Sequence, residues 1–151
     1  MASVKRFEDL DVWKLSRELN TEVFKAVIVK YENKYNPTIN QLDKSCGSIM
    51  DNISEGFGRG GNREFANFLS ISKGSATETK SQLYRCLDRG YISKVKFDEI
   101  TQLLELIIRK IGAFISYLNS SDFKGLKYIS EPEVEYETQN NNKESSEEQI
   151  N

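Results

Sequence analysis

The side chains that most often do chemistry are scarce in this chain. It has no histidine, which removes the commonest general base, the usual partner of a serine or cysteine nucleophile and the commonest metal ligand. Carboxylates, two cysteines and a set of cations remain. Carboxylate-only chemistry needs several acids projecting into one interior, and the positions that read as core carry none. The expectation is no catalytic residue, no metal and no cofactor. Cys46 and Cys86 are too few and too isolated for a disulfide framework or a multi-cysteine metal site. Both fall on apolar helix faces, so they read as buried, reduced and inert thiols.

The glycine-rich segment "EGFGRGGN", Glu55 to Asn62, has only a loose likeness to a phosphate loop. It lacks both the G-x-x-x-x-G-K-[ST] pattern and a preceding strand, and a helix–helix turn is the plainer reading. Within it, Arg59 and Arg63 stand beside the free N–H groups of the next helix. That arrangement suits a nucleic-acid phosphate, and it equally suits a solvated face. On a helical wheel Arg63, Arg85 and Arg89 point away from the apolar stripe, while Lys73 and Lys80 flank it. The candidate phosphate contacts are therefore Arg59, Arg63, Lys73, Lys80, Arg85 and Arg89. Interspersed acids and the lack of an assignable exposed aromatic platform speak for the solvated face.

Four amphipathic segments would position these groups. Between Leu10 and Tyr31, Val12, Leu15, Leu19, Val23, Ala26 and Val27 recur at helical spacing, with Asp9 placed to cap the first turn. Thr38 and Gln41 have capping-box spacing and open a second helix, whose stripe runs from Leu42 to Phe57 and which Gly56 can end in a left-handed conformation. Asn62 is an N-cap for a third helix, Phe65 to Leu87, closed by Gly90. Ser93 caps a fourth with the strongest stripe, Phe97 to Leu118. Short connections favour antiparallel neighbours, so the spacing predicts an all-α, antiparallel up-and-down four-helix bundle over residues 1–120. Gly47 and Gly74 fall inside helices, where each costs about 1 kcal/mol relative to alanine, and a closely approaching backbone would explain them. Ile28, Ile71 and Leu106 fall off the stripes, where they would cover a subunit contact or be ordinary exposed apolar residues.

Charge divides the chain in the same place. Residues 1–120 hold 18 basic and 15 acidic side chains, while residues 121–151 hold 3 and 8. The second part is poor in apolar residues and reads as an acidic, mostly disordered tail. No apolar run is long enough to span a bilayer and no secretory leader is evident, so a cytoplasmic location away from membranes is expected.

In order and spacing, "FEDLDVW" (Phe7 to Trp13), "NISEGFGR" (Asn52 to Arg59), "EFANFLSISKGSATE" (Glu64 to Glu78) and "RGYIS" (Arg89 to Ser93) resemble the proteins encoded by intervening sequences of bacterial 23S ribosomal RNA genes. That family is sometimes labelled S23 ribosomal protein. The resemblance covers about residues 7–118 and leaves out the tail. It implies a four-helix bundle that assembles as a ring-like homo-oligomer, commonly a pentamer. It also implies kinship with the accessory proteins of diversity-generating retroelements, basic bundles that bind nucleic acid and a reverse transcriptase. The recurrent motif residues of the family correspond to Asn52, Glu55, Gly56, Gly58, Arg59, Glu64 and Phe65. For these a structural role is expected, Glu55 and Arg59 bracing the turn as an ion pair. The body of this chain is only mildly basic, in contrast to a retroelement accessory protein. The functional expectation is a non-enzymatic accessory bundle associated with RNA or DNA, alongside a larger nucleic-acid enzyme or ribonucleoprotein. The alternative is a protein-interaction scaffold.

Overall fold

The computed structural model describes residues 3–120 and 129–135. Each long element begins and ends for a local reason. Helix α1, Asp11–Ala26, follows a 3-10 turn at Phe7–Asp9, and no side chain at its N-cap position, Leu10, bonds the first turn. Asp9 therefore does not cap it. The helix also stops earlier than Tyr31: Val27 leaves the helical region and a 3-10 turn covers Ile28–Tyr31. The run Val27-Ile28-Val29 accounts for the break, since consecutive β-branched residues crowd the preceding turn and lose rotamer freedom.

Helix α2 spans Pro37–Gly58. Its cap is Asn36, whose side-chain oxygen accepts from the N–H groups of Thr38 and Ile39 at 3.1 and 3.3 Å. Pro37 at the first helical position brings a preset φ and no N–H to satisfy. The start thus moves ahead of the expected Thr38 box, and the Thr38 hydroxyl instead accepts from Arg89. Helix α3, Asn62–Asp88, has Gly61 at its N-cap rather than Asn62. At its far end Gly90 adopts φ +70, Tyr91 N–H reaches Cys86 C=O at 2.8 Å and Gly90 N–H reaches Leu87 C=O at 3.1 Å. This double closure is the expected glycine C-terminus. Helix α4, Lys94–Ser120, begins as expected, the Ser93 hydroxyl accepting from Lys96 N–H at 3.2 Å.

Cross-helix contacts set the topology. Going along α2 from Thr38 to Ser45 and Ser48, the α3 partners run backwards from Arg89 to Gln82 and Ser75. Between α3 and α4, Phe65 meets Phe114 and Tyr84 meets Phe97. Helix α1 closes the ring against α2 and α4. The result is an all-α, antiparallel up-and-down four-helix bundle, with no strand among the described residues. Its interior is filled by the predicted stripes, with Leu19, Ile49, Phe65, Leu83, Leu104 and Phe114 fully buried. None of the described helices is long and apolar enough to cross a membrane.

The α2–α3 interface carries a polar seam. Ser45 donates to Gln82 Oε1 at 2.5 Å and accepts from Thr79 at 2.9 Å, Ser72 donates to Ile49 C=O at 2.7 Å, and Ser48 and Ser75 share a bond of 2.9 Å. Small side chains let the two backbones approach, and mutual bonding satisfies groups that burial would otherwise penalise. The closest approach is at Gly56, where an added Cβ would lie 2.4 Å from Phe68 Cβ. Neither expected position does this job: a Cβ at Gly74 would meet nothing within 4 Å, and one at Gly47 would only touch the Asn20 side chain at 4.0 Å. Gly56 also does not end α2, and Gly60, at φ +84, makes the turn instead.

The acidic tail is partly docked. Residues 129–135 have no regular secondary structure, and Ile129 is buried against the core. The expected disorder of the remainder, residues 121–128 and 136–151, lies outside the described residues.

Candidate nucleic-acid interface

The six candidate cations do not form one patch. Arg59 ion-pairs with Glu55 at 2.8 Å, and its guanidinium lies 5.3 Å from the centre of the Phe68 ring. Arg85 donates to Gln41 Oε1 at 3.4 Å, and Arg89 donates to Thr38, so both turn onto α2. On the opposite flank of α3, Lys80 pairs with Glu105 of α4 at 2.8 Å. Lys73 reaches over α4 at Gly112, where an added Cβ would lie 3.6 Å from its Nζ. Arg63 is exposed on the outer face. Neither Arg63 nor Lys73 makes a side-chain hydrogen bond or ion pair among the described residues. Arg63 and Arg85 are about 33 Å apart along the axis at 1.5 Å per residue. The structure therefore separates a pair facing α2 from a pair facing α4.

A residue the sequence reading passed over lies with the second pair. Tyr84 is 50% exposed, with its ring set edge-on to Phe97 at 4.8 Å. Lys73, Lys80 and Tyr84 follow i, i+7, i+11 spacing, which places them on one side of a helix. All three border α4. Helical spacing assigns no exposed aromatic here; only the position of α4 reveals which ring stays at the rim.

Of the motif residues around the turn, Asn52, Gly56 and Phe65 serve packing. Asn52 donates to Ser48 C=O at 2.7 Å and to its hydroxyl at 2.9 Å, extending the bond from Ser48 to Ser75. Phe65 is fully buried between Phe57 and Phe114, at centroid distances of 5.8 and 5.2 Å in edge-on geometry. The Glu55–Arg59 pair is exposed on both sides, and such i, i+4 pairs contribute only a few tenths of a kcal/mol. Glu64 sits in the first turn of α3, where a negative charge suits the dipole. Gly58 is in open space, and nothing in the structure requires glycine there.

Other concave or reactive groups offer less. A shallow groove along α1 is lined by Arg6, Lys14 and Arg17 but also by Glu8, Glu18 and Glu22, so its charges cancel. Arg17 rests 5.7 Å from the Trp13 ring centre within it. Among the described residues no three His, Cys, Asp or Glu side chains cluster in a way that could hold a metal. Burial pushes the Cys46 thiol up to about 12, with Asp43 adding to the effect. Burial also raises Cys86, against the pull of Arg85 and Arg89. Since the thiolate is the reactive form, the native protein at pH 8 is expected to resist alkylation at both cysteines, and intact-mass measurement should show labelling only after denaturant is added. Rapid native labelling of Cys46 would contradict its burial.

A sequence profile of the 23S rRNA-intervening sequence protein family matches residues 8–113. Among solved structures, one of a protein with unknown function from the S23 ribosomal protein family, from Bacteroides thetaiotaomicron VPI-5482, superposes with a TM-score of 0.60 at 23% identity, covering 72% of this chain and 99% of that one. At that identity the likeness speaks to the fold. No curated protein matches the chain.

Proposed function

Because this chain belongs to the 23S rRNA-intervening sequence protein family, we propose that it is a non-enzymatic accessory bundle that binds RNA or DNA through the α3–α4 edge. The stripe Lys73, Lys80 and Tyr84 carries this reading. It supplies two cations for phosphates and one partly exposed ring for a base, which is the combination that single-stranded segments use. Lys80 holds Glu105 only in a surface pair, and a phosphate can take the place of that carboxylate at little cost. Arg59 and Arg63 at the turn give a secondary contact, whereas Arg85 and Arg89 turn onto α2, away from this edge. A homo-oligomer, with five copies the number suggested by resemblance, would repeat the stripe and raise avidity. The partner is then a larger nucleic-acid enzyme or ribonucleoprotein.

The test is retention of structured and single-stranded RNA across a salt series. Affinity should fall as salt rises, with a slope set by the number of phosphates neutralised. Lys73→Glu should weaken binding and flatten that slope by about one contact. Tyr84→Ala should cost about 1–3 kcal/mol of binding with the slope unchanged. Arg85→Glu serves as the control and should change little. No retention at low salt, or equal effects of Arg85→Glu and Lys73→Glu, would remove the reading.

The second reading, a protein-interaction scaffold, has its own support in exposed apolar residues: Val95 is 68% exposed, Ile71 53% and Tyr35 87%. A complex that survives nuclease and high salt would favour it.

A further inference from the structure

Helix α1 is capped from the other end of the chain. Its N-terminal N–H groups, those of Asp11 and Val12, donate to the two separate oxygens of Glu131, 120 and 119 residues away, the Val12 bond at 2.9 Å. The same short segment makes three more attachments. Ile129 is 1% exposed and sits in the core; its carbonyl accepts from Val4 N–H at 2.8 Å; and Ser130 N–H donates to the Tyr117 hydroxyl on α4 at 3.4 Å. One tripeptide thus fastens the N-terminal arm, α1 and α4 together. Its hydrogen bonds go to Val4, Asp11, Val12 and Tyr117, and among the described residues none of them reaches α2 or α3.

We infer that Ile129–Ser130–Glu131 is a detachable strap, and that the order of the first turn of α1 is controlled by whether it is docked. Detachment is within reach because the attachment is small: one apolar side chain, a few hydrogen bonds and one carboxylate. That carboxylate sits at a cost, since burial pushes it above its ordinary range. The N–H groups of Asp11 and Val12 oppose this, the Asp11 charge adds to it, and Lys110 on α4 opposes it. Local openings of such weakly held segments lie well below the free energy of global unfolding. Helix α1 responds because no side chain of its own replaces the lost acceptor: Leu10 holds the N-cap position, and the preceding turn keeps Asp9 out of it. The strap continues into the exposed Glu133 and Glu135. Anything that draws this acidic end away from the bundle therefore uncaps α1.

Hydrogen exchange on the full chain tests the device. In Glu131→Ala, amide exchange at Val4 and residues 10–14 should rise roughly two- to thirtyfold, the range expected for a lost cap, while α2 and α3 keep their protection. Ile129→Ser should give the same pattern. Adding the heptapeptide of residues 129–135 in excess should restore protection in the Glu131→Ala chain, and the same peptide carrying Glu131→Ala should not. Glu131→Gln keeps one accepting oxygen at the same size and should fall between the two, which covers the case in which a harsher variant does not fold. Unchanged exchange at residues 10–14 would overturn the strap. Loss of protection in all four helices together would also overturn it, because the segment would then be an integral part of the core.

Discussion

Replacing Gly56 with alanine is expected to destabilise the bundle by about 1–2 kcal/mol, although alanine is the better helix former. Helix propensity alone would favour the change by about 1 kcal/mol. The added Cβ, however, would lie 2.4 Å from Phe68 Cβ and 3.1 Å from the Phe65 ring. Phe68 Cβ is the base of its side chain and cannot swing aside, so relief requires α3 to move off α2. That movement would stretch the bonds Ser48 shares with Ser75 and Ser72 makes to Ile49. Overpacking of a well-fitted contact costs about 1–3 kcal/mol and more where backbone must shift, so the clash outweighs the propensity. Urea unfolding would show the midpoint falling. An alanine variant as stable as the parent would mean that the helices are not in contact at this point.

Phe65→Ala should be the more damaging change, at about 3–5 kcal/mol for a fully buried aromatic. Phe65 joins the α2–α3 turn to α4, with Phe57 on one side and Phe114 on the other. Its removal leaves a void bounded by two rings on different helices, which cannot both collapse into it. Thermal or denaturant unfolding gives the size of the loss. The same variant separates fold from function: Phe65 does not reach the surface, so nucleic-acid retention per folded molecule should match the parent. A Phe65→Ala chain that stays fully stable but loses retention would make this motif residue part of a binding site, contrary to its burial.

Both changes fall at the α2–α3 turn, where Gly56, Phe65 and Asn52 serve helix packing. Gly56 permits contact, Phe65 fills it, and Asn52 links the two helices through Ser48. The binding stripe proposed on α3 lies elsewhere, at Lys73, Lys80 and Tyr84. Resemblance in the motif therefore supports the family and the bundle, and it leaves the ligand to the outer residues.

Much of this was legible from residue order, because it depends on periodicity within a single helix. The stripes of α3 and α4, the stop at Gly90 and the cap at Ser93 are properties of adjacent residues, and composition alone removed histidine chemistry. Local competition shifted other boundaries: Asn36 with Pro37 outbid Thr38, and three β-branched residues cut α1 short.

Tertiary structure alone decided what lies beside each stripe. A wheel gives the direction of Gly47, Gly56 and Gly74 around their axes, but only the position of the neighbouring helix makes Gly56 the tight one. It likewise cannot divide Arg85 and Arg89 from Lys73 and Lys80, because that division depends on whether α2 or α4 stands on each side. The docking of Ile129 and Glu131 was hidden for a related reason. A single isoleucine and one glutamate in an acidic stretch carry no periodic signal, and their value comes from a core built by all four helices and from a helix end more than a hundred positions away. Sequence determined which surfaces needed partners; the partners were chosen by the packing of four helices in space.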